Sequence, residues 1–268
     1  MTTNIEWVKN PDGTKGYTIN PVKGLCPMAC SYCYARRIYK RFKWNPEIRY
    51  DPDAFKGLPS KPARVFVGST MELFGDWVDR DWMHMTFAKI LARPQHTFIF
   101  LTKQCQNLPR EFPSNCWVGV TALNDAQLLL AETQFEKIKA NVKFLSLEPL
   151  RNQLDAFRYM KQPQWVIIGQ QTPVSRKTEP KIEWVREIVE AADRAGTPVF
   201  LKNNLRRLLV PEDCSKPNYL MDDIFWASEK AQLRQEMLND YYPFHSFLLC
   251  TAVGTLFKPS HRLFWRHE

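Results

Sequence analysis

Short apolar runs recur along this chain, each handing over to a polar or helix-patterned stretch, and this rhythm limits the fold more than any other feature. The runs are GYTINP (residues 16–21), RVFVG (64–68), TFIFLT (97–102), WVGVT (117–121), KFLSL (143–147), WVIIG (165–169) and PVFL (198–201). They are four to six residues long and rich in β-branched and aromatic side chains, and the run at 64–68 is flanked by Pro62 and Gly68; these are strand cues. Between them, residues 34–43, 82–91, 126–139 and 183–195 carry helical spacing, the last stopping at Gly196. Strands apolar on both faces that alternate with helices imply a parallel sheet covered by helices. At 268 residues the chain is ordinary for one α/β barrel. The expectation is a partial, incompletely closed TIM-like barrel of about six or seven parallel strands with outer helices. It occupies residues 1–238; from Asn239 the rhythm is lost, and residues 239–268 read as a C-terminal extension. No dinucleotide-binding glycine fingerprint follows any run, and no G-x4-G-K-[ST] phosphate loop exists, which argues against nucleotide hydrolysis.

After the first run comes Cys26-Pro-Met-Ala-Cys30-Ser-Tyr-Cys33-Tyr, with cysteines at spacings of four and three. Thiolates this close together can serve one metal centre without long-range help from the fold. A disulfide with a spare thiol, a group of core cysteines, or a zinc site with a distant fourth ligand are the plainer readings. Three thiolates with one position left open better suit an iron–sulfur cube, in which each iron takes one external ligand. Cys105, Cys116, Cys214 and Cys250 read as core thiols.

Seven cysteines, three of them in this group, fit a reducing compartment better than a disulfide framework. The N-terminal MTTNIEWVKN lacks the apolar region of a secretory signal, and no apolar run is long enough to span a bilayer. A cytoplasmic protein without membrane contact is expected. A net charge of +9 makes a polyanion a reasonable partner.

In α/β barrels ligands sit at the C-terminal strand ends, so polar residues just past the apolar runs are site candidates. Those positions hold Ser69, Thr70 and Glu72; Lys103 after Thr102; Thr121 and Asn124; Glu148; and Gln170 with Gln171. Asn124 and Thr70 are equally well explained as helix caps. Lys103 and Glu148 are not, because a cap needs no long charged side chain.

The C-x3-C-x2-C pattern with Tyr32 before its last cysteine resembles the signature of the radical S-adenosylmethionine (SAM) enzymes. Together with VFVGST, FLTK, WVGVT, FLSLEPL and WVIIG, it resembles a family of phage- and plasmid-encoded radical SAM-like proteins of unknown function, over residues 3–205. The cysteine motif followed by Tyr34 is also distantly similar to that of spore photoproduct lyase. The resemblance implies a barrel of radical SAM type holding a [4Fe–4S] cluster on Cys26, Cys30 and Cys33. It implies SAM contacts from Tyr32, Gly68, Ser69, Thr70, Glu72, Lys103, Thr121 and Glu148. An electron donor such as flavodoxin or ferredoxin follows, and with the basic charge a nucleic acid or nucleotide is the expected substrate. Gly169-Gln170-Gln171 departs from the Gly-Gly-Glu ending expected of the family, which removes an acid at Gln171. The alternative function is a nucleic-acid-binding protein whose metal is structural and whose basic helix, residues 34–43, contacts phosphates.

Overall fold

The computed structural model describes residues 1–209 and 233–239. Its main sheet has seven strands: β1 (Tyr17–Ile19), β4 (Arg64–Val67), β5 (Thr97–Thr102), β6 (Cys116–Thr121), β7 (Val142–Leu147), β8 (Val166–Ile168) and β9 (Val199–Leu201). They lie side by side in chain order, and every pairing is parallel. A separate antiparallel ribbon joins β2 (Val22–Lys23) to β3 (Arg49–Tyr50), a pairing of two residues that no periodicity announces. The outer helices are α1 (Tyr34–Phe42), α2 (Arg80–Leu91), α3 (Asp125–Lys137) and α4 (Ile182–Ala195). The fold is therefore an open α/β half-barrel, as the rhythm of the chain requires.

Helix ends follow local chemistry. α2 starts two residues earlier than its apolar pattern indicates because the Asp79 carboxylate accepts the Asp81 N–H. Asn124 caps α3 by accepting the Gln127 N–H at 2.9 Å, so it is a cap and not a rim ligand. α3 stops at Lys137 because Lys139 turns away to bond Arg110 and Phe112 through its backbone. Gly196 ends α4 in the left-handed region, φ +68°, with its N–H bonded back into the last turn.

The two faces of the sheet bury different sets. Phe98 and Phe100 of β5, Val118 and Val120 of β6, and Leu145 and Leu147 of β7 face the helices. The alternate residues Phe66, Ile99, Trp117, Phe144, Ile167 and Phe200 line the concave side with Trp7 and Trp165. This aromatic layer fills the N-terminal half of the barrel, and Trp165 meets Trp117, Phe144 and Phe200 at centroid distances near 6 Å. Gly119 makes room for it, since a Cβ there would lie 2.3 Å from the Phe144 ring. Arg64 closes the bottom: it is 1% exposed, lies 4.8 Å over the Trp117 ring, and donates to the carbonyls of Lys9 and Leu238.

Residues 233–239 cover the free edge of β9. The Gln235 backbone forms an antiparallel bridge with Phe200, and Arg234 pairs with Asp193 at 2.8 Å and Glu236 at 3.0 Å. The Glu236 carbonyl accepts the Trp165 indole N–H. This segment belongs to the sheet edge. Of the expected extension, residues 240–268 lie outside the described residues.

His96, 2% exposed, packs edge-on against Phe98 before β5, and its Nδ1 has no partner. Burial, helped by the Arg93 charge, holds its pKa below the ordinary 6.5. The unfolded chain therefore binds this proton more readily than the folded one, so the stability contribution is complete above about pH 6.5 and is lost as pH falls below it. Urea midpoints measured from about pH 7.5 down to 5 should fall less steeply for His96→Phe than for the wild type; parallel curves would exclude His96 as the source.

Candidate metal and cofactor site

The loop from Gly24 to Cys33 lies across the C-terminal mouth of the half-barrel and is fixed from several sides. Gly24 sits at φ +129°, where its N–H donates to the Tyr39 hydroxyl at 2.8 Å and a Cβ would strike the Glu47 carbonyl at 2.7 Å. Leu25 donates its N–H to the Pro46 carbonyl, and the Arg36 guanidinium bonds the Cys26 carbonyl. Ala29 takes a left-handed conformation, φ +48°, at the bend between Cys26 and Cys30. α1 begins directly after Cys33, and two of its residues brace the mouth. Tyr34 donates its hydroxyl to the Ser69 carbonyl, and Arg37 reaches the Thr172 carbonyl at 3.1 Å.

Cys26, Cys30 and Cys33 are free, partly buried thiols that line one cavity of about 400 Å³. Burial pushes the Cys26 thiol up, against the pull of the Glu72 and Met28 backbone N–H groups. Every cofactor-contact residue read from the sequence lines the same cavity: Tyr32, Gly68, Ser69, Thr70, Glu72, Lys103, Thr121 and Glu148. Period-two alternation accounts for the strand-end members. Ile99 and Leu101 face the concave side, so Lys103 follows them inward; Trp117 and Gly119 carry Thr121 with them.

Their bonding differs in ways that sequence could not show. Glu72, 8% exposed, accepts the Thr102 hydroxyl at 2.6 Å, the Lys103 N–H at 2.8 Å and the Phe74 N–H at 3.2 Å. Both its oxygens therefore clamp the β4 loop to the end of β5. Thr70 caps no helix; its hydroxyl and N–H both donate to Asn20 Oδ1 at 3.0 Å. Gly68, at φ +83°, holds the turn that aims this loop inward. Glu148 forms an ion pair with Lys202, and Gly169 leaves space for it, since a Cβ there would meet the Lys202 chain at 2.9 Å. The Tyr32 ring lies 5.1 Å under the Arg151 guanidinium, which also donates to Gln171. Burial pushes the Tyr32 hydroxyl well above its ordinary range.

Two polar atoms at the cavity have no hydrogen-bond partner: Thr121 Oγ1, in a residue 2% exposed, and Gln170 Oε1, in a residue 0% exposed. The Lys103 ammonium is paired with no carboxylate among the described residues. Buried polar groups are usually satisfied, so Thr121 Oγ1 and Gln170 Oε1, with the part-buried Lys103 ammonium beside them, offer the cavity free polar groups.

Several residues were missed in the sequence. Lys202 follows the apolar run of β9 as Lys103 follows β5, so the same cue points to it. Ser146 ends the concave face of β7 beside Thr121. Met28, whose sulfur accepts from Gln104, and the anchoring Asn20 and Arg151 reach the site from loops and carry no signal of their own.

Cys105 and Cys116 are buried free thiols in the helix-side core, as expected; Cys214 and Cys250 lie outside the described residues. Among the described residues no three His, Cys, Asp or Glu side chains are grouped as a single-ion site requires, and no helix is long and apolar enough to cross a membrane.

A family model whose description reads "Protein of unknown function (DUF5131)" matches residues 2–207. No curated protein and no solved structure matches.

Proposed function

The chain belongs to the family of unknown function DUF5131, whose model spans residues 2–207, and from that premise we propose that it is a radical SAM enzyme acting on a nucleic acid or nucleotide. The observation that carries this reading is the convergence of three thiols, Tyr32 of their loop and seven strand-end residues on one cavity at the C-terminal mouth of a parallel half-barrel. The residues fit the cofactors. A cube takes each thiolate on a different iron, so Cys26, Cys30 and Cys33 need only line a shared opening and need not meet at a point. The unpartnered Thr121 Oγ1 and Gln170 Oε1, with the Lys103 ammonium that lines the same cavity, would offer a donor, an acceptor and a cation to a zwitterionic ligand.

A [4Fe–4S] cluster held by Cys26, Cys30 and Cys33 would supply, once reduced by an external electron donor, the one-electron chemistry of reductive SAM cleavage. The chain contributes position and dryness. Lys103 and Thr121 would hold the SAM carboxylate and ribose. Asn20 holds Ser69 and Thr70, and Glu72 clamps the end of the same loop to β5, so this loop would face the ammonium from beside the cavity. Trp7, Phe66 and Leu101 close the inner wall and keep water from a reactive intermediate. A purely structural metal would leave the strand-end polar residues of the cavity without a role.

The test is anaerobic reconstitution followed by assay of SAM cleavage to 5'-deoxyadenosine under reductant. Iron-loaded protein that binds no SAM would overturn the proposal.

Thr121→Val separates ligand binding from folding. Its hydroxyl is buried without a partner, so replacing it by a methyl of similar shape should leave folded stability unchanged or raise it by about 1 kcal/mol. SAM affinity of reconstituted protein should fall by about 5- to 10-fold, the value of one hydrogen bond. Destabilisation with unchanged affinity would count against a ligand at this wall.

A further inference from the structure

α1 carries four basic residues and no acidic one, and its C-terminal end exposes aromatic rings instead of burying them. Phe42 is 57% exposed and Trp44 48% exposed, and the two rings stack at 6.0 Å with an interplanar angle of 27°. The Arg41 guanidinium lies 5.3 Å from the centre of the Phe42 ring. Trp44 is held in this pose from below: Tyr39 meets it edge-on at 5.3 Å, and its N–H bonds the Tyr39 carbonyl at 3.2 Å. Lys43 makes the necessary turn in a left-handed conformation, φ +51°. None of Lys40, Arg41 and Lys43 is in an ion pair among the described residues. A rigid, half-bare aromatic pair ringed by unpaired cations is an expensive surface to leave in water unless something docks on it.

Trp44 also lines a groove of about 970 Å³ with Tyr39, Lys23 and Arg49. The acids of this groove are already engaged: Asp51 with Lys23 at 2.7 Å, Asp53 with Lys56 at 2.8 Å, and Glu6 with the Asn203 N–H at 2.7 Å. Tyr34, Ser69, Thr70 and Lys202 line both this groove and the cysteine cavity, so the two spaces are neighbours across a shared wall.

We infer that the end of α1 and this groove form a docking site for single-stranded nucleic acid, with a base stacked on the Phe42–Trp44 pair and phosphates on Lys40, Arg41 and Lys43. Charge complementarity selects a polyanion, and exposed flat rings select unpaired bases over a duplex, whose bases are already stacked. The docking stands on the surface itself. Delivery of a neighbouring nucleotide to the cysteine cavity rests on the chemistry proposed above.

The test is fluorescence anisotropy of labelled single-stranded DNA and RNA oligonucleotides titrated with the full chain at several salt concentrations. Binding should weaken with salt at a slope of log K against log salt near −2, as expected for about three phosphate contacts at −0.7 each. Trp44→Ala should weaken it by about 5- to 150-fold, the range found when one stacking ring is removed. Trp44→Phe should keep most of the affinity, which guards against a folding defect. The triple variant Lys40→Gln, Arg41→Gln, Lys43→Gln should flatten the salt slope. No binding at low salt, equal affinity for duplex DNA, or affinity indifferent to Trp44→Ala would overturn the inference. Iron uptake and SAM cleavage are scored separately: protein that binds strands without taking up iron supports this site while overturning the proposed chemistry, and protein that cleaves SAM but binds no strand does the reverse.

Discussion

Anaerobically reconstituted wild-type protein is expected to hold about four irons and four sulfides per chain, and Cys30→Ala to abolish its visible absorbance. Each thiolate of a three-cysteine site is the sole protein ligand of one iron, so no neighbour can replace a lost one. Cys105 is the nearest test of that claim, because it is also a free thiol. It lies 2% exposed in the helix-side core, where burial pushes its pKa up to about 11, and it does not line the cavity that Cys26, Cys30 and Cys33 share. Cys116 is buried deeper, and its pKa is raised further. Cys105→Ala and Cys116→Ala should therefore keep the absorbance that Cys30→Ala loses. The Cys30 variant should still fold, because its loop is fixed by Gly24, Leu25 and Arg36 through backbone bonds that do not involve the cysteine side chain. Stoichiometric zinc with no iron uptake in the wild type would overturn the assignment.

The parallel strands were legible because a sheet covered on both faces writes its burial into nearly every residue. β4 and β6 are buried along their whole lengths, and each is a continuous apolar or β-branched run broken only by Arg64 and Gly119. The same logic exposed the rim: a polar residue one step past such a run has little choice but to sit at the strand end. It fails where structure is built from few residues or from charge. The β2–β3 ribbon is two residue pairs long. Residues 233–239 join β9 through backbone bonds of Arg234 and Glu236, two charged residues in a stretch without strand alternation. Glu72 and Glu148 were both legible as strand-end acids, yet one is engaged by three hydrogen-bond donors and the other by Lys202, and spacing cannot show which partner arrives from another loop. Asn124 is the converse case, where a short side chain after a strand end serves the following helix alone. Lys202 was within reach of the rule that found Lys103, and a three-residue strand hid it.

Lys103→Ala is expected to keep the cluster and weaken SAM binding by about 30-fold or more. Its direction is fixed from two sides: the alternation of β5 places it on the concave face after Ile99 and Leu101, and its N–H is anchored to Glu72 at 2.8 Å. The ammonium therefore enters a partly water-excluded cavity with no carboxylate to meet it among the described residues, whereas Lys202 across the mouth is already paired with Glu148. A SAM α-carboxylate would complete the first lysine with a charge-assisted hydrogen bond and would find the second largely neutralised. Truncating one member of a buried charged pair costs about 2–4 kcal/mol, and about 1.4 kcal/mol corresponds to a decade of affinity. Lys103→Arg keeps the charge but trades a point donor for a planar fork, so it should recover part of the loss. Calorimetric titration of SAM into reconstituted wild type and variants decides the matter. Equal affinity in Lys103→Ala would make this lysine a solvated rim residue and move the carboxylate site to another wall of the cavity.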